Sequence, residues 1–175
     1  MLRTQDQSLP LEVLIPHFGK ETNLVGVEIG VSGGVGSFGM LYYLPNLKLY
    51  CIDPWLHIDG APAEAGLAQE IHDEGYATAL LRVSPYKDRV TLIRKQSDAA
   101  VNDVPDVIDF VHIDGDHRYE QVVRDIKNYM PKIRSGGLIS GHDYILQESV
   151  VRAVHETFPE GSIKFADDFV WWVAL

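Results

Sequence analysis

The chain has 175 residues, of which 46% are hydrophobic and 23% charged, a length and composition suited to one globular domain with a sizeable core. A formal net charge of -10 disfavours a nucleic-acid partner, because an acidic surface repels phosphate backbones. No run approaches the roughly 18 apolar residues of a membrane span, the opening residues lack the apolar core of a signal peptide, and the single Cys51 has no partner for an internal bridge, so a cytoplasmic protein is expected.

Residues 1–24 start polar and continue through Leu9 to Phe18, where Pro10 and Pro16 bracket at most one or two helical turns. They read as a lead-in that packs its leucines on a domain spanning 25–175. Val25 to Ile29 reads as a first strand, followed by a turn rich in glycine (Gly30, Gly33, Gly34, Gly36) and a helix over Val35 to Leu44. Strand, glycine turn and helix form the layout of a nucleotide or dinucleotide site, and glycine allows a ligand close to the backbone. The stretch lacks the Lys-Ser/Thr ending of a phosphate-binding loop and the strict G-x-G-x-x-G pattern. Glu28, two residues before Gly30, suits a cationic or hydroxyl-bearing ligand better than a pyrophosphate. The same glycines would also serve plain strand–helix packing.

Leu47 to Ile52 is a second strand that ends in Asp53-Pro-Trp55. Asp53 follows Gly30 by 23 residues, where a ribose-binding acid is expected in this architecture. Trp55 could cover a purine ring or fill the core. After a loop from His57, the region Ala63 to Val83 reads as helical, with Gly75 weakening its middle enough to divide it. Arg89 to Arg94 alternates as a third strand, with Ser97 and Asp98 beyond its end and a short helix over Asp98 to Asn102.

Val107 to Ile113 is an apolar run of the kind buried in parallel sheets, and it ends abruptly in Asp114-Gly-Asp116-His117. Ligands in open α/β sheets sit at the carboxyl ends of strands, which places these side chains on the rim of a crevice. Taken alone, Asp-Gly-Asp is also an ordinary turn. Tyr119 to Ile133 reads as an amphipathic helix with Lys132 and Arg134 near its C-terminal end and Ser135-Gly-Gly137 stopping it. Leu138 to Tyr144 repeats the strand-then-acid pattern with His142-Asp143, and Ser149 to Phe158 is a further helix. The C-terminal stretch suggests two strands around an Asp167-Asp168 turn, giving a mixed sheet.

Val27 to Gly36, Tyr50 to Trp55, Phe110 to Glu120 and Gly136 to Tyr144 together resemble class I S-adenosylmethionine-dependent methyltransferases, most of all the small-molecule O-methyltransferase branch of macrocin and catechol type. The resemblance covers residues 24 to 175. It implies a Rossmann-like seven-stranded mixed sheet of order 3-2-1-4-5-7-6 with strand 7 antiparallel. It further implies that Glu28, Gly30 and Gly34 border the methionine part of S-adenosylmethionine, that Asp53 holds the ribose, and that Trp55, Ser97 and Asp98 lie near the adenine. Asp114 would face the cofactor and, with His142 and Asp143, hold a divalent metal. Asp116 matches a general base and His117 a catalytic lysine of related enzymes. The family's pair after strand 5 is two acids, or an acid and an amide. His142 departs from that, suits Mn, Fe or Zn better than Mg, and could instead act as a base. The expected acceptor is a small hydroxylated molecule, and a homodimer could complete its pocket. Two other readings stay open at this point: a metal-dependent glycosyltransferase using Asp114 and Asp116, and a cofactor-binding protein without catalysis.

Overall fold

The computed structural model describes residues 11–58, 66–166 and 169–175. Seven strands form one sheet of order β3-β2-β1-β4-β5-β7-β6. They are β1 (Leu24–Ile29), β2 (Leu47–Ile52), β3 (Val90–Ile93), β4 (Ile108–Ile113), β5 (Ile133–Gly141), β6 (Lys164–Phe165) and β7 (Trp171–Ala174). The first five are parallel, and β7 runs antiparallel to both β5 and β6. The order and the reversed seventh strand are those the family resemblance implies. The Asp167-Asp168 turn and residues 63–65 of the expected helix lie outside the described residues; residues 66–68 are not α-helical, and that helix begins at Gln69.

Strand alternation divides the interior into two layers. Val27, Ile29, Val111, Ile113 and Ile139 point to one face, where they meet Val122, Ile126 and Tyr129 of α5 (Tyr119–Tyr129) and Val150 and Val154 of α6 (Glu148–Thr157). Leu24, Leu49, Phe110 and Leu138 point to the other. There they meet Leu14 of α1 (Leu11–Phe18), Met40 and Leu41 of α2 (Val35–Tyr43) and Val83 of α3 (Gln69–Val83). A short helix, α4 (Ser97–Ala100), follows β3. Among the described residues, no helix is long and apolar enough to cross a membrane.

Two boundaries differ from the sequence reading. Helix α5 ends at Tyr129 and gives way to a 3-10 turn over Met130–Lys132. Pro131 in that turn has no N–H to continue the helical ladder. Ser135 to Gly137 therefore does not stop the helix but lies inside β5, where Gly136 N donates to Leu175 O at 2.6 Å. Arg134 likewise sits in the strand and pairs with Asp109 at 2.6 Å. Helix α3 is continuous through Gly75. A Cβ there would make only ordinary contacts, 3.6 Å to Trp55 Cδ1 and 3.8 Å to Ser32 O, so the helix packs beside the loops after β1 and β2 without requiring a glycine at this position.

Candidate active site

The carboxyl ends of β3, β2, β1, β4 and β5 are joined by a ladder of backbone hydrogen bonds. Asp53 N donates to Ile93 O (3.2 Å), Gly30 N to Ile52 O (2.9 Å), Asp114 N to Ile29 O (2.7 Å) and His142 N to Ile113 O (3.1 Å). Each donor is the first residue beyond its strand, and each acceptor is the last residue of the neighbouring one. The ladder sets Gly30, Asp53, Asp114 and His142 in a row along one edge. Gly30 sits at the tightest point of that row. Its φ is +87°, and a Cβ on it would stand 2.0 Å from the Asp114 carbonyl oxygen.

The glycine turn is clamped by the second strand. Asp53 Oδ2 accepts from Val31 N and Ser32 N, both at 2.9 Å, and Oδ1 accepts from Trp55 N at 2.7 Å. The Trp55 indole N–H donates to Ser32 O at 2.8 Å, and its ring packs edge-on against Tyr76. Trp55 is only 1% exposed, so its face belongs to the core in this structure. Arg82 of α3 donates to Gly33 O, and Gly34 (φ +76°) opens α2 against Ala79, whose Cα would lie 3.0 Å from an added Cβ. Ser32, Trp55 and, across the edge, Asp143 hold positive φ without being glycine.

Glu28 lies beneath this turn, buried, with Ser37 of α2 donating to Oε2. Burial pushes its pKa from 4.5 up to about 8, the Ser37 bond opposing and the Asp114 and Asp53 charges reinforcing that rise. Glu28 is one member of a polar row across the sheet. Cys51, Glu28, His112 and Ser140 occupy register partners on β2, β1, β4 and β5. His112 Nδ1 lies 3.0 Å from Ser140 Oγ, and burial lowers its pKa to about 4, which keeps the ring neutral.

The loops after β4 and β5 bring two acids and two histidines together. His117 Nε2 is 2.9 Å from Asp143 Oδ2 and 3.9 Å from Asp114 Oδ1. His142 Nδ1 is 3.4 Å from Asp143 Oδ1 and 3.7 Å from Asp114 Oδ1, and its ring stacks on Phe169. The Asp114 and Asp143 carboxylates raise the His117 pKa to about 10. His117 first and His142 second hold Asp143 well below the usual carboxylate range. A small cleft behind the cluster is lined by Ile113, Gly115, Asp116, His117, His142 and Trp171.

Asp116 is turned toward Arg118, whose Nε donates to both carboxylate oxygens (3.0 and 2.8 Å) and whose backbone N donates to Oδ1 (2.9 Å). Partial burial raises the Asp116 pKa, but the Arg118 bonds outweigh it, and the net shift is downward. Such a carboxylate is a weaker proton acceptor than a free one. Ser97 faces α5 rather than the crevice. Its Oγ donates to Asp125 Oδ1 at 2.6 Å and accepts from Gln121 Nε2 at 3.0 Å. Asp98 is exposed and pairs with Arg124 and Asn128.

Residues 27–144 match the family model described as a methyltransferase domain. The chain belongs to that family. A relative, the uncharacterized protein R132 of Acanthamoeba polyphaga mimivirus, is 31% identical over 140 residues, which is 77% of this chain and 57% of that protein. The chain thus spans little more than half of that relative's length. Among solved structures, cofactor-bound Rv0187 from MTB superposes with a TM-score of 0.66 at 16% identity, covering 99% of this chain and 82% of that one. The O-methyltransferase NovP gives 0.65 at 17%, covering 94% and 77%. Precorrin 8w decarboxylase from Methanobacterium thermoautotrophicum gives 0.66 at 16%, covering 98% and 93%. At these identities the likeness is one of fold.

Several residues that shape this methyltransferase domain escape a reading by motif. His112 and Ser140 were visible only as polar residues inside otherwise apolar strands. Asp125 falls on the apolar stripe of α5, three residues after Val122 and four before Tyr129, which is the signal that it faces inward. Burial raises its pKa to about 6 despite the bonds from Ser97 and Gln121. Arg118 and Arg82 carry no sequence signal of their roles.

Proposed function

We propose that the protein transfers the methyl group of S-adenosylmethionine to a hydroxyl of a small-molecule acceptor at the edge between β4 and β5. The observation that carries this reading is the strand-end ladder, which aligns the glycine turn and Asp53 with the Asp114, His117, His142 and Asp143 cluster in one crevice. The glycine turn would receive the methionine part beside Glu28. Asp53 Oδ1 accepts one backbone donor from Trp55. A carboxylate oxygen has room for two, so a ribose hydroxyl can still donate to it.

Methyl transfer forms a bond from the acceptor oxygen to the methyl carbon, breaks the sulfonium C–S bond in line, and releases the hydroxyl proton. The protein's task is to hold the two reactants aligned and to receive that proton. Of the three proposed catalytic groups, Asp116 is engaged by Arg118, and His117 is a cation between two carboxylates at neutral pH. His142 is best placed as the base. Its Nδ1 lies 3.4 Å from Asp143 Oδ1 and 3.7 Å from Asp114 Oδ1, and stacking on Phe169 fixes the ring plane. A divalent ion on the cluster's carboxylates, when bound, would lower the acceptor's pKa and orient it.

Binding of S-adenosylhomocysteine tests the reading. It should raise the melting temperature by several degrees, and nucleotide sugars should not. The opposite pattern would favour a glycosyltransferase. Turnover is then sought across hydroxylated acceptors, with and without added metals. A protein that binds the cofactor product but turns over nothing in the panel would favour a binding role without catalysis.

A further inference from the structure

We infer that His117 is itself a metal ligand, forming with Asp114 and Asp143 a centre of two carboxylates and one imidazole that selects a first-row transition ion over Mg2+. The inference rests on the proposed active site for its setting. Its evidence lies in the donor atoms. Among the described residues, one ligand atom each from Asp114, His117 and Asp143 lies within 4.8 Å of the others. His117 Nε2 is buried and makes no hydrogen bond, although Asp143 Oδ2 is 2.9 Å away. The separation is that of an ion pair, but the orientation is not that of an N–H aimed at an oxygen. Neighbouring donors about 2.1 Å from one ion stand about 3 Å apart, the spacing of this pair. Asp114, 39% exposed at the side chain, can swing its carboxylate to close the third position.

The His117 backbone is fixed for this role. Ser149 Oγ of α6 donates to His117 O at 2.6 Å, and His117 stands three residues after Asp114 on the same loop. His142 occupies the outer side of Asp143, near Oδ1, with its ring against Phe169. Metal binding at Nε2 displaces the His117 proton, and the two carboxylates and the now neutral imidazole then offset the charge of a divalent ion. Imidazole favours Mn2+, Fe2+ or Zn2+, whereas Mg2+ prefers an all-oxygen shell.

Mn2+ binding to the full chain provides the test. Equilibrium dialysis should show Mn2+ held at least tenfold more tightly than Mg2+. Pulsed EPR of the Mn2+ complex should show 14N coupling that changes to 15N when the histidines are labelled. His117→Ala should lose the coupling and at least tenfold in Mn2+ affinity, while His142→Ala keeps both. If His117→Ala fails to fold, the coupling retained in His142→Ala still supports the assignment. Absence of nitrogen coupling, its loss in His142→Ala, equal affinity for Mg2+ or no Mn2+ binding would each overturn it. S-adenosylhomocysteine binding is measured alongside by thermal shift. If that fails while Mn2+ still binds through His117, the cofactor reading falls and the ligand assignment stands.

Discussion

Where Gly30 passes the carbonyl of Asp114, there is no room for a methyl group, and its φ of +87° disfavours any L side chain. Gly30→Ala must therefore push β1 and β4 apart at the edge where the acids are held. We expect it to destabilise the fold by more than about 2 kcal/mol, read as a lower urea midpoint. Weakened S-adenosylhomocysteine binding should accompany that loss. An unchanged midpoint would mean that the two strand ends are not locked together. The glycine's importance was legible in the sequence from its place after a strand. Its physical cause, a contact with a residue 84 positions away, was not. Asp53 was found by spacing in the same way, while its grip on Val31 N and Ser32 N depends on how two loops meet.

At the level of elements, the polar row across β2, β1, β4 and β5 puts an ionisable group inside the sheet. Glu28 holds its proton in the fold up to about pH 8, whereas the unfolded chain releases it near 4.5. Because the folded-state value is raised, no penalty exists below pH 4.5. Stability is then lost progressively as pH rises through the window to about 8. Glu28→Gln removes that slope. Urea unfolding of the cofactor-free protein at pH 5 and pH 9 should show the wild type losing on the order of 2–4 kcal/mol more than the variant between the two. Parallel losses would indicate that Glu28 is solvated or paired.

Element boundaries show what periodicity misses. The apolar spacing of α5 correctly placed Val122, Ile126 and Tyr129 in the core. It could not show that Pro131 ends the helix early, or that the glycines after it take part in a strand. Those glycines are paired with the chain's last residues through Gly136 and Gly137, and that pairing is visible only in the assembled sheet.

For the whole molecule, the sheet separates two cores, and the lead-in helix α1 packs its leucines into one of them. Leu14 is fully buried with Leu24, Leu41 and Leu138, and His17 Nε2 lies 3.0 Å from Gly136 O at the start of β5. Leu14→Ala should cost about 2–5 kcal/mol in chemical denaturation. A loss under about 1 kcal/mol would mean that α1 rests on the sheet without being part of its core.

The strand-end ladder also bears on how such a domain can diversify. Backbone atoms make its bonds, so the joining of the strand ends does not depend on which side chains stand at Asp114 and His142. Ile145 and Leu146, beyond β5, are both exposed and make no such structural demand. A floor drawn by the main chain thus stays in place under a rim whose side chains are open to substitution.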